Sequence, residues 1–209
     1  MSEATKIKIL IVDDHPVVRI GIAAIIDTCP DMTTVAQSST AEQAIKLFDL
    51  HLPDITLMDL RLPGISGVEA IRRIRASHPE AHIIVLTTYE GDEDIHQALE
   101  AGARGYLIKG MSREVLIHAI IRVHGGSQFL PPTVTRALET RSKDSALSAR
   151  ERQVLVLIVS GKSNKEIGSA LGIAEATVKC HVTEILSHLQ VSDRTQAVVT
   201  ALRRGLIHL

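Results

Sequence analysis

The feature that most constrains this chain is a regular alternation of short apolar runs and helical patterns over its first 125 residues. Strands that alternate with helices form a parallel sheet, and the crossovers that join them are right-handed. The runs predict strands at about 7–12, 33–37, 55–59, 82–87 and 105–109, and helices at about 16–28, 40–51, 67–78, 92–101 and 112–125. The pattern predicts a doubly wound, flavodoxin-like α/β fold with a five-stranded parallel sheet in the order 2-1-3-4-5.

Polar side chains stand at the ends of four of these strands. Asp13 and Asp14 follow the first strand and Asp59 the third, while Thr87 and Lys109 end the fourth and fifth. Because parallel sheets place ligand groups at the carboxyl ends of their strands, we expect these groups to converge. Three carboxylates, a hydroxyl and an ammonium predict a site for Mg²⁺ or Mn²⁺ in which Asp59 accepts a phosphoryl group. Lys109 and Thr87 would then bind the phosphoryl oxygens.

The alternation stops in a stretch rich in Gly, Pro and charged residues. Its composition predicts an interdomain linker at 129–146, although 132–140 could form a short helix. Residues 1–128 carry 12 Lys and Arg against 17 Asp and Glu, whereas residues 147–209 carry 8 against 5. An acidic domain joined to a mildly basic one suits a cation-binding domain attached to a polyanion-binding domain.

Residues 147–209 predict a small all-α domain of four helices. Three capping-box patterns predict helix starts, namely Ser148 with Glu151, Ser163 with Glu166, and Asp193 with Gln196. The third helix is predicted to begin at 175, after a turn that contains Gly172. Its buried stripe comprises Val178, Val182, Ile185, Leu186 and Leu189. Two short helices joined by a Gly-containing turn form a helix-turn-helix.

The opposite face of the third helix is polar. It presents Lys179, Cys180, Thr183 and Ser187, the kind of face that a recognition helix turns to the major groove. Asn164 and Lys165 begin the preceding helix, where side chains and backbone N–H groups can bind phosphate. From charge alone, an ordinary solvated helical bundle explains these residues equally well.

The sequence gives little indication of a membrane-spanning segment or of a disulfide bond. The longest purely apolar run, 154–159, is far shorter than the roughly 20 residues of a membrane helix, and the first residues lack an apolar signal core. Cys29 and Cys180 fall in different predicted domains, which favours free thiols. We therefore expect a cytoplasmic protein without a membrane partner.

The motifs of the first part resemble the receiver domain of bacterial two-component response regulators over about 1–125. They are Asp13-Asp14-His15-Pro16, Met58-Asp59-Leu60-Arg61-Leu62-Pro63-Gly64 with Gly67, Thr87, and Gly105-Tyr106-Leu107-Ile108-Lys109. The resemblance implies that a sensor histidine kinase phosphorylates Asp59 and that Asp14, Asp59 and the Arg61 backbone carbonyl hold Mg²⁺. It also implies that Thr87 and Tyr106 form a switch pair. Gly110 departs from the pattern, since many receivers have proline there.

The second part resembles the LuxR-type helix-turn-helix, and the two parts together resemble the NarL/FixJ class. The matching segments are 147–155, 161–167 and 177–182. The resemblance implies binding to double-stranded DNA, with Lys179 as the main base or groove contact and Asn164, Lys165, Thr177 and His181 in support. Ala174 stands where relatives commonly have a Ser or Thr cap, and Thr183 and His188 stand where they often have lysine.

The last helix, from about 193 to 205, is predicted to form a homodimer contact. Its face of small and medium apolar residues consists of Ala197, Val198, Ala201 and Leu202. Two such domains would pair across a two-fold axis and bind two half-sites.

These patterns predict a phosphorylation-dependent, DNA-binding transcription regulator that is not an enzyme. A Mg²⁺-dependent phosphotransfer enzyme would normally have a second acid-base aspartate two residues after the nucleophile, where this chain has Arg61. A regulator that binds DNA independently of phosphorylation remains the other alternative. Cys180 is either a small residue that touches a thymine methyl group or a redox-sensitive thiol.

Overall fold

The computed structural model describes residues 6–88, 91–140 and 147–207. The chain divides into two compact units, which we call the first unit (1–90 and 95–135) and the second unit (91–94 and 136–209). The domain boundaries expected at 128/129 and 146/147 stay predictions, and residues 141–146 of the predicted linker lie outside the described residues. Within the described part of the chain, no helix is both long and apolar enough to cross a membrane.

The first unit contains a five-stranded parallel sheet in the predicted order β2-β1-β3-β4-β5. Its strands are β1 (Ile7–Val12), β2 (Met32–Ser38), β3 (Ile55–Met58), β4 (Ile83–Thr87) and β5 (Gly105–Ile108). The helices that follow the strands are α1 (Pro16–Asp27), α2 (Ala41–His51), α3 (Gly67–Ser77), α4 (Asp92–Glu100), whose first three residues fall in the second unit, and α5 (Arg113–His124). The predicted fold class is confirmed, and the element ends differ from prediction by at most one residue.

The central strands are apolar because helices cover both faces of a doubly wound sheet. Every residue of β3 and β4 is buried. One core cluster joins the strands to α1 and α5 and includes Ile9, Ile11, Leu57, Ile26 and Ile120. A sheet buried on both faces leaves only its strand ends open to ligands.

Backbone hydrogen bonds continue one residue beyond the strands at this open edge. The Asp13 N–H donates to Ser38 O, the Asp59 N–H donates to Val12 O, and the Lys109 N–H donates to Thr87 O, at 3.1, 2.9 and 2.7 Å. Backbone hydrogen bonds to a neighbouring strand therefore hold the residues that follow β1, β3 and β5 at the same edge of the sheet, independently of their side chains.

The second unit is helical. The chain continues through α6 (Pro132–Thr140), α7 (Ala149–Val159), α8 (Asn164–Leu171), α9 (Glu175–Leu189) and α10 (Arg194–Arg203). The last four are the helices that the sequence predicts, and α6 is the short helix left open at 132–140. Gly172 ends α8 at φ 65°, a left-handed conformation that glycine adopts without a steric penalty. The core is built from buried residues such as Val154, Ile167, Val178 and Ile185.

The capping predictions hold for two of three helices in full. At Ser148 and at Ser163 the hydroxyl accepts from the N3 backbone, and the N3 glutamate accepts from the cap backbone. Asp193 accepts from the Gln196 N–H at 2.8 Å, but the Gln196 carbonyl oxygen accepts from Ser192 instead. The third capping box is therefore wrong in its reciprocal half.

The start of α9 lacks a side-chain cap. Ala174 occupies the N-cap position with φ −64° and ψ 145°, close to the φ −60° and ψ 161° of Ser148 at the start of α7. The backbone is thus already in the conformation from which a serine hydroxyl caps a helix.

We therefore predict that Ala174→Ser raises the unfolding free energy of the second unit by about 1 kcal/mol. Calorimetry of the full chain should show a Tm increase of about 4–8 °C in the transition of this unit. Ser148→Ala, the reverse change at a capped start, should lower the same transition. An unchanged Tm for Ala174→Ser, with a lowered Tm for Ser148→Ala, would contradict the prediction.

Candidate functional site

One ammonium group joins two buried carboxylates at the open edge of the sheet. Lys109 Nζ lies 2.6 Å from Asp59 Oδ2 and 2.7 Å from Asp13 Oδ2. Asp13 is 1% and Asp59 3% exposed, so bulk water screens their charges poorly. The structure thus brings together three of the side chains that the sequence places at separate strand ends.

Asp14 and His15 extend this group toward solvent. His15 Nδ1 lies 2.6 Å from Asp14 Oδ1 and 3.2 Å from Asp13 Oδ1, and the His15 N–H donates to Asp13 Oδ1 at 2.9 Å. One potential ligand atom each from Asp13, Asp14, His15 and Asp59 lies within 4.8 Å of the others. His15 was absent from the predicted site residues, although an imidazole directly after two aspartates is a signal for metal binding.

The charges in the cluster perturb one another. Burial raises the pKa of Asp59 above its ordinary value, and the hydrogen bond and charge of Lys109 only partly oppose this. Burial would lower the pKa of Lys109, but the carboxylates of Asp13 and Asp59 outweigh it and raise that pKa. Lys109 therefore stays cationic, and its positive charge attracts a further anion that enters the pocket.

The donor set fits a hard divalent cation. Asp13 Oδ2 and Asp14 Oδ1 are buried and accept no well-aligned hydrogen bond, although each lies at ion-pair distance from Lys109 or His15. Carboxylate oxygens with lone pairs to spare are the ligands that Mg²⁺ takes, usually together with several waters. The acidic pocket is thus suited to magnesium.

The loop after β3 folds back over Asp59. The Arg61 N–H donates to Asp59 Oδ1 at 3.2 Å. Farther along, Glu42 Oε1 accepts from the Ile65 N–H at 3.1 Å, which ties the loop to α2. Gly64 has φ 84°, a left-handed conformation that favours glycine at this turn. Sequence reasoning missed Glu42, whose position in an ordinary helix start gives no signal of this contact.

Thr87 and Tyr106 lie buried on adjacent strands. Thr87 is the last residue of β4 and pairs with Ile108, which places it beside the strand that carries Lys109. Tyr106 is fully buried and pairs with Val85. Gly110, directly after Lys109, has φ 93°, a conformation that a proline cannot adopt.

In the second unit, the predicted polar face of α9 is exposed. Thr177, Lys179, Cys180 and Thr183 are all exposed, while Val178, Ile185 and Leu189 are buried beneath them. Lys179 Nζ pairs with Glu175 Oε1 at 3.2 Å on the surface. His181 is only partly exposed and pairs with Glu184 Oε2 at 3.2 Å. The helix therefore presents Lys179 to solvent, with His181 at the edge of its exposed face.

Asn164 and Lys165 stand at the start of α8, where the predicted phosphate contacts lie. Lys165 is exposed. Asn164 Oδ1 accepts from Arg194 at 3.2 Å, and Arg194 also donates to the Lys162 carbonyl. Because the oxygen is engaged, the amide NH₂ of Asn164 is the group left to donate to an acceptor such as phosphate. Arg194, which sequence reasoning missed, thus orients the side chain of Asn164.

A contact between the buried Glu151 and the partly exposed His188 ties α7 to the end of α9. Glu151 Oε1 lies 2.9 Å from His188 Nδ1. The pKa of Glu151 lies below its ordinary value. Burial alone would raise it, but the hydrogen bonds from Ser148 and the nearby charges of His188 and His181 outweigh this effect. His188 thus has a structural contact that its sequence position alone does not reveal.

The predicted dimer face on α10 is wrong for two of its four residues. Ala197 and Ala201 are 1% and 0% exposed and belong to the core of the second unit, because α10 packs against α7 and α9. Val198 and Leu202 are partly buried. Val199, which the prediction omitted, is 59% exposed. Ala197 and Ala201 thus belong to the core of the second unit, and Val199 is an apolar side chain of α10 that is exposed.

Comparison with known proteins places both units in described families. Residues 9–121 match the response regulator receiver domain, and residues 145–201 match the bacterial regulatory proteins of the luxR family. The response regulator protein VraR of Staphylococcus aureus (strain NCTC 8325 / PS 47) is 38% identical over 206 residues, covering 96% of this chain and 99% of VraR.

Solved structures give the same result. The response regulator ChrA of a heme-sensing two-component system has 35% identity and a TM-score of 0.58 over 97% of this chain and 99% of ChrA. The response regulator RcsB in complex with DNA has 25% identity and a TM-score of 0.70 over 94% of this chain and 98% of RcsB. These families are DNA-binding regulators and not catalytic enzymes. The chain therefore belongs to the two-component response regulators that join a receiver domain to a LuxR-type helix-turn-helix DNA-binding domain.

Proposed function

We propose that phosphorylation of Asp59 by a sensor histidine kinase controls the binding of this regulator, as a homodimer, to double-stranded DNA in the cytoplasm. The observation that carries the proposal is the contact of Lys109 with both Asp13 and Asp59 at the strand ends. The Lys109 ammonium already lies between the two carboxylates. Its positive charge would attract a phosphoryl group, which adds negative charge at this point.

In the proposed transfer, a carboxylate oxygen of Asp59 attacks the phosphorus of a phosphohistidine on the kinase. The new O–P bond forms as the N–P bond breaks, and the histidine nitrogen keeps the electron pair. Lys109 offers an ammonium to one phosphoryl oxygen and Thr87 a hydroxyl to another. Mg²⁺ or Mn²⁺, held by Asp13, Asp14, Asp59 and the Arg61 carbonyl, would neutralise charge on the transferred group.

The same pocket offers a route for the signal. In our proposal the Thr87 hydroxyl moves to the phosphoryl group and the vacated space stabilises Tyr106 in its inward position. The complete burial of Tyr106 supports this, since the interior accommodates the ring. The pair would thus convert a charge change at Asp59 into a packing change.

DNA binding is proposed to centre on Lys179. The exposed face of α9 supports this, with Thr177, Cys180, His181 and Thr183 around Lys179. Asn164 and Lys165 would bind phosphate at the start of α8, with the Asn164 amide directed by Arg194. The DNA complex of RcsB supports this assignment of the second unit. We propose the exposed Cys180 as a groove contact and not as a redox sensor.

We predict that Asp59→Asn abolishes labelling of the full chain by acetyl phosphate, because an amide is not a nucleophile toward phosphorus. Mass spectrometry of the intact protein measures the labelling, and Asp49→Asn, a change at an exposed aspartate of α2, should label normally. Footprinting with and without the phosphoryl donor then tests the control of DNA binding. Labelled Asp59→Asn would refute the assignment, and equal footprints of the wild type would favour phosphorylation-independent binding.

We predict that Lys179→Ala weakens specific DNA binding by about 1–3 kcal/mol if Lys179 contacts a base edge. If it contacts phosphate alone, affinity for operator and scrambled duplex should fall together, and the salt slope should drop by about one. Titrations at several salt concentrations on both duplexes separate the two outcomes. Lys46→Ala, at an exposed lysine of α2, serves as the control, and wild-type affinity of Lys179→Ala on both duplexes would exclude Lys179 as a contact.

For the dimer contact on α10, we propose a face centred on Val199, flanked by Val198 and Leu202. We predict that Val199→Arg abolishes cooperative binding to an operator with two half-sites, because a charge at the interface centre would have no partner. Binding to a single half-site should be unchanged. Val156→Arg, at an exposed valine of α7, is the matched control. Wild-type cooperativity in Val199→Arg would place the dimer contact elsewhere.

A further inference from the structure

The start of α2 is joined to the end of β1 by a short chain of hydrogen bonds. The Asp13 N–H donates to the Ser38 carbonyl at 3.1 Å. The Ser38 hydroxyl in turn donates to the Thr40 carbonyl at 2.8 Å and accepts from the Thr40 N–H at 3.2 Å. Ser38 is 3% exposed, and Ala41 and Ala44 of α2 are fully buried. The start of α2 therefore has a defined position relative to Asp13.

Glu42, in the first turn of α2, contacts the loop that joins β3 to α3. Its Oε1 accepts a hydrogen bond from the Ile65 N–H at 3.1 Å. Gly64, next to Ile65, has no side chain, and the Glu42 carboxylate lies in the space beside it. The hydrogen bond from Ile65 is the largest of the effects that hold the pKa of Glu42 below its ordinary value. The acceptor is therefore ionised at neutral pH, which strengthens the hydrogen bond.

The same loop carries the backbone of Arg61. The Arg61 N–H donates to Asp59 Oδ1 at 3.2 Å, and the Gly67 N–H donates to the Leu60 carbonyl at 3.0 Å. Residues 59–66 form neither helix nor strand, so contacts with neighbouring elements define where the loop lies. Glu42 supplies such a contact from α2.

We propose that Glu42 is a positioning residue for phosphorylation, which holds the loop at 60–66 so that the Arg61 carbonyl can bind the divalent cation beside Asp59. The proposal rests on the metal site of the proposed function and adds no ligand to it. Mg²⁺ requires nearly ideal octahedral geometry, so a displaced carbonyl weakens its binding. The start of α2 would then connect two sides of the metal site, one through Ser38 to Asp13 and the other through Glu42 to the loop.

The first-turn position of Glu42 has a second possible role. An acidic residue near a helix N-terminus stabilises the helix dipole, and this role requires the negative charge but not the contact with Ile65. Glutamine separates the two roles, because its amide oxygen accepts a hydrogen bond but carries no charge. Alanine removes both the acceptor and the charge.

The test compares the full-length wild type with Glu42→Ala, Glu42→Gln and Glu69→Ala. Glu69 is the matched control, since it also lies in the first turn of a helix and its carboxylate pairs with Arg73 at 2.8 Å. Mass spectrometry of the intact protein gives the rate of Asp59 labelling by acetyl phosphate over a range of Mg²⁺ concentrations.

We expect Glu42→Ala to raise the Mg²⁺ concentration for half-maximal labelling by about threefold to tenfold, with a smaller change in the rate at saturating Mg²⁺. The reason is that the cation must then select the loop conformation that Glu42 otherwise favours. Glu42→Gln and Glu69→Ala should stay within about twofold of the wild type.

A second measurement reports on the contact without metal or phosphoryl donor. In nuclear magnetic resonance spectra of the full chain, the Ile65 amide proton should resonate downfield in the wild type, because it donates to a carboxylate. It should move upfield in Glu42→Ala and stay in place in Glu69→Ala. An Ile65 resonance that does not respond to Glu42→Ala would refute the contact, whatever the labelling shows.

The labelling data can also overturn the proposal in two ways. Wild-type Mg²⁺ dependence in Glu42→Ala would show that the loop is positioned without Glu42. Equal defects in Glu42→Ala and in either Glu42→Gln or Glu69→Ala would assign the effect to lost charge and not to the hydrogen bond. If the wild type itself is not labelled at any Mg²⁺ concentration, the proposed function fails instead, so the two failures are distinguishable.

Discussion

The functional architecture of the first unit depends on the balance of charge between Lys109 and two buried aspartates. Carboxylates at the ends of adjacent strands repel one another where water cannot screen them, and burial together with the charge of Asp13 raises the pKa of Asp59. Lys109 Nζ, at 2.6 Å from Asp59 and 2.7 Å from Asp13, offsets part of this repulsion. Asp14 lies beside the exposed imidazole of His15, with 2.6 Å between Asp14 Oδ1 and His15 Nδ1. These charges are arranged around the space that the proposed divalent cation and phosphoryl group would enter.

That balance is available only because the sheet brings distant residues together. Lys109 and Asp59 are 50 positions apart, yet the backbone bonds that extend β3 and β5 hold both at the same edge. The hydrophobic core supplies the rigidity, since β3 and β4 are buried along their whole length.

In the second unit, helix capping and amphipathic packing position the exposed face of α9. Complete capping boxes begin α7 and α8, so local hydrogen bonds define where these helices start. The amphipathic pattern of α9 then decides which side is buried and which side carries Lys179. Arg194 adds an orientation that a helical pattern cannot specify, because its two contacts lie on residues about 30 positions earlier. The second unit thus combines an exposed polar face on α9 with an Asn164 side chain that Arg194 orients.

The sequence by itself determined the sheet order, the helix boundaries and the meeting of Asp13, Asp59 and Lys109, because periodicity and strand-end position are local signals with a regular geometry. The tertiary structure alone decided that Ala197 and Ala201 are buried, since a small residue on a helix suits either a core or an interface. It also decided the contacts of Glu42, Arg194 and His188, which depend on the approach of segments far apart in the chain. Even the adjacent His15 needed the structure, because sequence gives its neighbours but not the direction of its ring.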